Sequence, residues 1–404
     1  FFRINRKQSC CSTHHRHRRG VCAVAASGQL IMDVHHLNHL PSARHWQSLP
    51  DGRIQCDLCP RLCKLHEGQR GLCFVRARNK DRIVLTTWGR SSGFCIDPIE
   101  KKPLHHFLPG SPVLSFGTAG CNLSCQFCQN WDISKSREFD RLADEAAPHD
   151  IALAAKRSGC RSVAYTYNDP VIFLEYALEV AEACRAEGIR SVAVTAGYIS
   201  APAAREFFAG MDAANVDLKA FTDSFYQRHC AGNLLPVLNT LTYLVHETDC
   251  WVEITTLLIP GENDTDDELI ALSRWIALNL GSHIPLHFTA FHPDFKMKDK
   301  PATPKATLVR ARQIALGEGL QHVYIGNVRD TARQSTYCQG CGVRIIGRDA
   351  YSLSLWAMSE TGRCLRCGTP CPGVFDGPPG DWGARRQRLE IRPTNSSPNP
   401  HMGC

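Results

Sequence analysis

The chain lacks any apolar run long enough to cross a membrane. Nowhere in its 404 residues does a stretch approach the roughly 18 consecutive apolar residues that a transmembrane helix needs. The chain also lacks a recognisable signal peptide. These two absences predict a soluble, cytoplasmic protein that has no membrane partner.

Acidic residues are missing from residues 1–31, which hold six of the seven net positive charges of the chain. The six basic residues are Arg3, Arg6, Lys7, Arg16, Arg18 and Arg19. The rest of the chain is therefore nearly neutral and offers no broad basic field, which argues against a nucleic-acid partner. Because Met32 is the first methionine, we expect the functional chain to begin there, and we interpret residues 1–55 as a leader without fixed structure.

Cysteine, in contrast, is abundant. The chain has 21 cysteines, and many of them form Cys-x2-Cys pairs. Disulfide frameworks are typical of short secreted chains. In a chain of this length without a signal peptide, grouped cysteines favour metal clusters in a reducing compartment.

One group of cysteines lies on a loop directly after the apolar run Val113–Phe116, and it consists of Cys121, Cys125 and Cys128. Three thiolates on a strand-to-helix loop suit an iron–sulfur cluster, and because a [4Fe–4S] cube takes four cysteines, one iron would stay open to a small molecule. The alternatives are buried structural thiols and a zinc site. Zinc is the stronger alternative, but it needs a fourth ligand, and none is obvious nearby.

A second group lies in a glycine-rich loop and consists of Cys56, Cys59, Cys63 and Cys73. Glycines permit the tight turns that closing four thiols around one metal or cluster demands. The spacing leaves a structural zinc ion and an auxiliary [4Fe–4S] cluster open, and we slightly favour the structural metal. We expect residues 56–108 to form a small Cys-rich module in which Cys95 is buried rather than ligating.

A third group consists of Cys338, Cys341, Cys364 and Cys367. Two Cys-x2-Cys pairs about 22 residues apart, each followed by glycine, are typical of a zinc ribbon. Cys371 is an alternative ligand and iron an alternative metal. We assign this zinc-ribbon-like module to residues 333–376. Residues 377–404 are rich in Pro, Gly, Asn and Arg and are predicted to be disordered.

Between these groups, short apolar runs alternate with longer amphipathic stretches, which predicts an α/β fold with a parallel sheet. The candidate strands are Val113–Phe116, Ser162–Tyr165, Ser191–Thr195, Ala213–Leu218, Glu253–Leu258 and Leu286–Ala290, with Val323–Ile325 as an optional seventh. Helices are predicted over Ile172–Glu187 and Asp267–Leu280. Six strands indicate a partial (β/α)6 barrel over residues 109–332 rather than a closed eight-stranded one.

Polar residues follow successive strands of this predicted sheet. They are Asn168 and Asp169, then Thr195–Tyr198, then Asp217 and Lys219. Each set alone is ordinary, since such residues form turns, helix caps and solvated ion pairs. Because the carboxyl ends of parallel strands meet at one edge of a sheet, their shared position predicts a ligand site there.

Two further pairs lie on the later strands. His287 and His292 flank the sixth strand, where they are candidates for positioning a substrate or shuttling a proton. Glu253 and Thr255 alternate along the fifth strand and should face the barrel interior together.

The Cys-x3-Cys-x2-Cys spacing of residues 121–128, with Phe127 before the third cysteine, resembles the signature of radical SAM enzymes. The resemblance implies that the amino and carboxylate groups of S-adenosylmethionine hold the open iron, and that Asn168 and Asp169 contact the ammonium of this cofactor. Asp217 and Lys219 match an Asp-x-Lys element of the pyruvate formate-lyase activating enzyme group, where it lies against the cofactor.

A more specific resemblance extends from Cys56 to Gly347. The strings that carry it are Cys56–Arg61, Tyr165–Pro170, Trp251–Gly261, His287–Pro293 and Tyr324–Val328. They are similar to the AmmeMemoRadiSam system radical SAM protein, which implies Memo-like and AMMECR-like partner proteins and a reductant such as ferredoxin or flavodoxin. Ala196 departs from the pattern, because relatives usually carry asparagine there, and we expect one polar contact of that side chain to be missing.

The function implied by the resemblance is reductive cleavage of S-adenosylmethionine to methionine and a 5′-deoxyadenosyl radical, which abstracts hydrogen from an unidentified substrate. A protein or a Memo-bound molecule is the expected substrate, and activation of a glycyl-radical enzyme is the alternative. Two other classes stay open. A non-catalytic electron carrier does not explain the polar residues at the strand ends, and a zinc-ribbon binding module does not explain the barrel.

Overall fold

A computed structural model describes residues 39–135 and 144–391 of the chain. The expected start at Met32 therefore lies outside the described residues. The leader predicted over residues 1–55 is wrong in its later part, since Trp46–Ser48 pairs with Ile54–Cys56 in an antiparallel sheet. That sheet gives the first described residues a fixed place beside the Cys-rich loop.

The structure contains 19 strands and nine α-helices within the described residues. The strands are β1 Trp46–Ser48, β2 Ile54–Cys56, β3 Lys64–Leu65, β4 Arg76–Asn79, β5 Arg82–Leu85, β6 Arg90–Ser91, β7 Phe94–Pro98, β8 Pro112–Phe116, β9 Asp144–Glu145, β10 Ser162–Tyr165, β11 Arg190–Thr195, β12 Ala213–Asp217, β13 Trp251–Leu258, β14 Leu286–Ala290, β15 Val323–Gly326, β16 Thr336–Tyr337, β17 Arg344–Asp349, β18 Ser352–Trp356 and β19 Gln387–Leu389. The helices are α1 Trp131–Ser134, α2 Pro148–Arg157, α3 Leu174–Ala186, α4 Ala201–Phe208, α5 Asp223–Phe225, α6 Leu235–Glu247, α7 Asp266–Asn279, α8 Lys305–Gly317 and α9 Thr331–Gln334. No helix among the described residues is long and apolar enough to cross a membrane.

The central sheet has nine strands in the order β15-β14-β13-β12-β11-β10-β8-β7-β19. Seven of them, β8 and β10 to β15, are parallel, which confirms the predicted α/β fold and makes the optional seventh strand real. Strands β7 and β19 add an antiparallel edge. The pairing described for the sheet runs from β15 to β19, so closure into a barrel is not shown.

The parallel strands consist mostly of apolar residues because both faces of the sheet are buried. Every residue of β10 and of β14 is buried. The helices that follow the strands pack their apolar stripe against the sheet, as in α3, where Tyr176, Ala177 and Val180 are fully buried at helical spacing. The predicted helix over 172–187 begins later than expected, because Pro170–Phe173 is a 3-10 helix and the α-helix begins at Leu174.

Two smaller sheets carry the remaining cysteine groups. Strands β1 to β3 form an antiparallel sheet in the N-terminal part, and β16 to β18 form another in the C-terminal part. The second sheet has its own small core, which includes Ile345, Ile346, Met358 and Phe375. It is tied to the segment between β7 and β8, since the buried Arg348 donates from Nη2 to the carbonyl of His105 at 2.6 Å.

The prediction of a disordered tail from Gly377 is wrong for part of the described residues, because they include a strand. Gln387–Leu389 forms β19 and pairs with β7 at the edge of the central sheet. This strand was missed because its residues are mostly polar and exposed, and it exists through pairing with a distant partner rather than through its own apolar pattern. Residues 392–404, which include Cys404, lie outside the described residues.

Candidate cluster and cofactor site

The polar residues predicted to gather at one edge of the sheet do follow consecutive parallel strands. The cluster loop, defined as residues 117–128, follows β8, and Asn168 and Asp169 follow β10. Thr195 ends β11 and Asp217 ends β12. Because these strands are hydrogen-bonded neighbours in register, their carboxyl ends deliver the loop and the side chains to one place.

The cluster loop requires glycines at its start because there is no space for a side chain. A Cβ on Gly117 would lie 2.2 Å from the carbonyl oxygen of Thr166, and one on Gly120 would lie 1.9 Å from the carbonyl oxygen of Cys73. Gly120 also has φ +84°, in the left-handed region that favours glycine. The backbone before Cys121 is therefore wedged between the loop after β10 and the N-terminal Cys-rich loop.

Asn168 fastens the cluster loop from the neighbouring strand. Its Oδ1 accepts from the backbone N–H of Thr118 at 3.1 Å, and its Nδ2 donates to the carbonyl of Gly120 at 3.0 Å. The side chain is buried, so these bonds satisfy an amide that is costly to bury unpaired. The structure thus gives Asn168 a role in holding the loop, and its contact with a cofactor remains a prediction.

Asp169 bridges the ends of β10 and β11. Oδ1 accepts from the Thr195 hydroxyl at 2.8 Å, and Oδ2 accepts from the backbone N–H of Ala196 at 3.1 Å. Burial raises the pKa of this carboxyl, and the hydrogen bonds from Thr195 and Ala196 oppose that effect. Ala196 has no polar side chain, so its contact with Asp169 comes from its backbone N–H.

Two lysines place positive charge near the thiols. Lys219 Nζ lies 2.8 Å from Asp217 Oδ2, and burial alone would lower the pKa of Lys219, but Asp217 and the nearby Cys125 outweigh burial and raise it well above its usual value. Lys135 donates to the carbonyl of Leu123 at 2.6 Å. Its charge opposes the effect of burial, which raises the pKa of Cys121 to about 12.

Sequence reasoning missed several neighbours of the three thiols. Cys230 lies beside Cys125 and raises the pKa of that thiol, and its carbonyl accepts from the Ser124 N–H at 2.8 Å. The Ser134 hydroxyl lies 3.0 Å from Cys128 Sγ. No motif marks these residues, because an isolated cysteine or serine carries no spacing signal, and only the folded loop after β12 brings Cys230 to the cluster loop.

His287 does not lie at this edge. Its Nε2 is 2.7 Å from Glu253 Oε2, and its side chain is 3% exposed. Glu253 also accepts from the backbone N–H groups of His105 and His106 at 3.0 and 2.7 Å. Both residues lie near the amino ends of their strands, so they stabilise the opposite end of the sheet. His292 follows β14 at the carboxyl edge, and its role stays a prediction.

The four C-terminal thiols form a compact set. The ligand atoms of Cys338, Cys341, Cys364 and Cys367 all lie within 4.8 Å of one another. Sγ–Sγ distances of 3.5 Å and 3.8 Å across the two pairs match the ~3.8 Å that tetrahedral Zn–S bonds of about 2.3 Å imply. A hydrogen bond with Thr369 also lowers the pKa of Cys367 to about 6, which favours the thiolate that binds metal.

Cys371 belongs to a different neighbourhood. Its sulfur lies within 4.8 Å of ligand atoms of the buried His106 and His322. Both ring nitrogens of His106 already have partners at 2.6 Å, which are the carbonyl of Pro372 and the hydroxyl of Tyr324. His106 therefore contributes to the packing between the sheet and the C-terminal module, and Cys371 is not a member of the four-thiol set.

The four N-terminal thiols line a single cavity. Cys56, Cys59, Cys63 and Cys73 surround it together with Arg61, Arg76 and Asn122. Asn122 directly follows Cys121, so the cavity adjoins the cluster loop. Burial raises the pKa of Cys73 to about 12, and Arg76 acts in the opposite direction.

The donor set of the cluster loop fits a [4Fe–4S] cluster. Its three thiols are ligands of the soft type that iron–sulfur clusters take, and two lysines supply positive charge beside a group of thiolates. Asn168 forms hydrogen bonds with the backbone of the loop. The loop is therefore held in place while its three thiols stay available as ligands. Cys121, Cys125 and Cys128 would therefore hold such a cluster with one iron free of protein ligands.

The comparisons with known proteins agree with this arrangement. Residues 116–273 match the profile of the radical SAM superfamily. The chain is 38% identical over 327 residues to an uncharacterized protein of Methanocaldococcus jannaschii, across 81% of this chain and 97% of that protein. The chain therefore belongs to the radical SAM superfamily.

Two solved structures are similar over part of the chain. One is a domain of pyruvate-formate lyase-activating enzyme from Bacteroides vulgatus, with 18% identity, a TM-score of 0.37, and coverage of 41% of this chain and 99% of that one. The other is a radical SAM methyltransferase from Sphaerobacter thermophilus, with 18% identity, a TM-score of 0.44, and coverage of 55% and 67%.

Proposed function

We propose that this protein reductively cleaves S-adenosylmethionine and uses the resulting radical to take hydrogen from a substrate. The observation that carries the proposal is the cluster loop, which presents three thiols at the carboxyl edge of seven parallel strands and is fastened there by Asn168. Membership of the radical SAM superfamily supports the same chemistry.

A [4Fe–4S] cluster with bound S-adenosylmethionine supplies, when present, one-electron cleavage to methionine and a 5′-deoxyadenosyl radical. The chain provides the thiolate ligands Cys121, Cys125 and Cys128. Asp169 and the Asp217–Lys219 pair offer one buried carboxylate and one ion pair at the same edge, which suits the ammonium and carboxylate of an amino acid. Buried Phe127 excludes water from one side of the loop.

Anaerobic reconstitution tests the proposal, with iron content and formation of 5′-deoxyadenosine as the two measurements. Wild type should bind a cluster at this loop and form 5′-deoxyadenosine. The triple variant Cys121→Ala/Cys125→Ala/Cys128→Ala should lose the iron of this cluster and should form no 5′-deoxyadenosine. Cys184→Ala, which removes a fully buried thiol in α3, is the matched control and should retain both. An intact cluster without cleavage of S-adenosylmethionine would instead favour an electron carrier.

Activation of a glycyl-radical enzyme shares this first step and differs in the substrate. An activase would leave a stable glycyl radical on a partner protein, which electron paramagnetic resonance detects. We also propose Memo-like and AMMECR-like proteins as partners, and a ferredoxin or flavodoxin as reductant, on the resemblance of strings such as Tyr165–Pro170. Affinity capture with tagged partners tests that association, and absence of binding would remove it.

For the C-terminal set we propose zinc. The support is the tetrahedral spacing of the four sulfurs, because iron–sulfur clusters spread their thiolates over several metal atoms. Metal analysis should find about one zinc per chain in wild type, since four thiolates bind one such ion. A chain that carries iron there instead would overturn the assignment.

A further inference from the structure

The N-terminal cysteines differ in arrangement from a single-ion site. All four line one cavity. Among the described residues, however, the sets of three or more candidate ligand atoms within 4.8 Å of one another are the four C-terminal thiols and the set of His106, His322 and Cys371, and no three of the N-terminal thiols form such a set. A tetrahedral zinc ion needs its sulfurs about 3.8 Å apart. A [4Fe–4S] cluster places each thiolate on a different iron, so its four thiolates stand farther apart around a larger body.

Two arginines line this cavity. Arg76 is 1% exposed and lines the cavity. Arg61 also lines it, and its Nη2 is buried without a hydrogen-bond partner among the described residues. A buried donor without a partner is costly, and an anionic metal–thiolate group beside it would remove that cost.

The cavity also touches the cluster loop. Gly120 packs its Cα against the carbonyl of Cys73, so closely that a Cβ would lie 1.9 Å from that oxygen. Arg61 Nε donates to the carbonyl of Asn122 at 2.9 Å. The residues on both sides of Cys121 are therefore in contact with the N-terminal loop.

Part of the loop around the cavity is near the surface. Leu62 and Leu72 are 46% and 39% exposed, and Cys63 is only partly buried. One member of the group, Cys63, is thus partly accessible to solvent, and another, Cys73, contacts the cluster loop, an arrangement that suits a group that accepts electrons from outside.

We propose that Cys56, Cys59, Cys63 and Cys73 hold a second [4Fe–4S] cluster, which takes one electron from a reductant of the ferredoxin or flavodoxin class and passes it towards the cluster loop. No bond forms or breaks in this step, and the reductant loses the electron that the cluster gains. The relay role rests on the proposed function, whereas the cluster itself does not. The sequence alone slightly favoured a structural metal here, and the arrangement of the thiols reverses that preference.

Iron and zinc analysis of reconstituted protein is the first test. Wild type should carry about eight irons per chain, and Cys121→Ala/Cys125→Ala/Cys128→Ala should retain about four, with a [4Fe–4S] signal in electron paramagnetic resonance after dithionite reduction. A triple variant that carries no iron and one additional zinc would overturn the proposal. If wild type carries both clusters but does not cleave S-adenosylmethionine, the proposed function fails and this inference stands.

The second test separates the relay from the cluster. Cys63→Ala should lose about four irons and lose cleavage driven by reduced flavodoxin, while cleavage driven by dithionite is retained. Cys95→Ala removes another half-buried thiol outside all three groups and should keep both activities and all the iron. Unchanged iron in Cys63→Ala, with folding checked by circular dichroism, would count against the ligand set, and unchanged flavodoxin-driven cleavage after loss of the iron would refute the relay.

Discussion

The N-terminal and C-terminal cysteine groups begin with the same Cys-x2-Cys pair and yet differ in how the fold arranges their sulfurs. In the C-terminal group, each sulfur of the first Cys-x2-Cys pair lies close to a sulfur of the second pair, at 3.5 Å and 3.8 Å. The N-terminal sulfurs spread around a cavity shared with the cluster loop. Spacing along the chain therefore predicts that metal binds, and the different distances between the thiols are the basis on which we propose zinc for one group and a [4Fe–4S] cluster for the other.

A buried arginine is also present in the part of the fold that carries each group, and the two arginines have different partners. Arg76 forms 3.0 Å bonds to both carboxylate oxygens of Glu175 and faces the thiols. Arg348, which is fully buried, donates instead to the carbonyl of His105 and the hydroxyl of Thr336 at 2.6 and 2.8 Å. The first arginine lies beside the proposed N-terminal cluster, and the second holds the C-terminal module against the segment between β7 and β8.

The largest expected effect comes from removing the proposed zinc. Cys338→Ala should destabilise the C-terminal module by about 10 kcal/mol, because a structural zinc contributes folding free energy directly. Zinc analysis and limited proteolysis within residues 333–376 measure this loss, while cleavage of S-adenosylmethionine should remain detectable. Cys371→Ala is the control and should keep its zinc, since Cys371 lies outside the four-thiol set. Zinc retained in Cys338→Ala would contradict the assignment.

The next largest effect should follow from Arg76→Met. Removing one partner of a buried ion pair leaves an uncompensated charge on Glu175 and costs about 3–5 kcal/mol. Chemical unfolding measures the cost, and iron at the N-terminal group should fall as well, because the thiolates lose a nearby positive charge.

Two variants check that interpretation of Arg76. Arg76→Met/Glu175→Leu should recover much of the stability without recovering the iron, since no buried charge is then unpaired. Arg310→Met breaks the exposed pair with Asp266 and should cost only about 0–1 kcal/mol. Equal losses in the buried and the exposed variant would show that the buried pair has no special role.

Much of the fold is readable from the sequence, because buried parallel strands are apolar and the intervening helices are amphipathic. Strand β19 is not readable, since Gln387–Leu389 becomes a strand only by pairing with β7. Of the site, the three thiols of the cluster loop carry a spacing signal, whereas Cys230 and Lys135 do not. The Asn168 amide reaches the loop backbone only because the neighbouring strands are in register. No local sequence pattern predicts that register.

The contact between the N-terminal group and the cluster loop can be broken at Gly120. In Gly120→Ala the positive φ alone costs about 1–3 kcal/mol, and the clash with the carbonyl of Cys73 forces the two loops apart. Iron should fall at both sites. Gly159→Ala carries a similar φ of +68° with nothing within 4 Å of the added Cβ, so it should lose stability but no iron. Full iron content in Gly120→Ala would show that the two sites do not share their scaffold.

The smallest predicted effect concerns Asp330, which begins the helix leading into the C-terminal module. Its Oδ2 lies 2.8 Å from Lys305 of α8 and from Arg333 of α9, and its Oδ1 accepts from the Arg333 N–H at 3.0 Å. Burial alone would raise the pKa of this carboxyl, but the two cations outweigh burial and lower it to about 2.

A carboxyl whose pKa is lower in the folded chain stabilises the fold above its unfolded pKa, and that stabilisation is lost as the pH falls towards its folded value. The free energy of unfolding of wild type should therefore exceed that of Asp330→Asn by a constant ~1–2 kcal/mol between pH 7 and pH 5. The difference should narrow below about pH 4, where the carboxyl of the unfolded chain takes up its proton. Acid also releases metal from thiolates, but this loss is common to both proteins and cancels in the difference. A difference that stays constant down to pH 2 would show that Asp330 acts through its shape as a helix cap rather than through its charge.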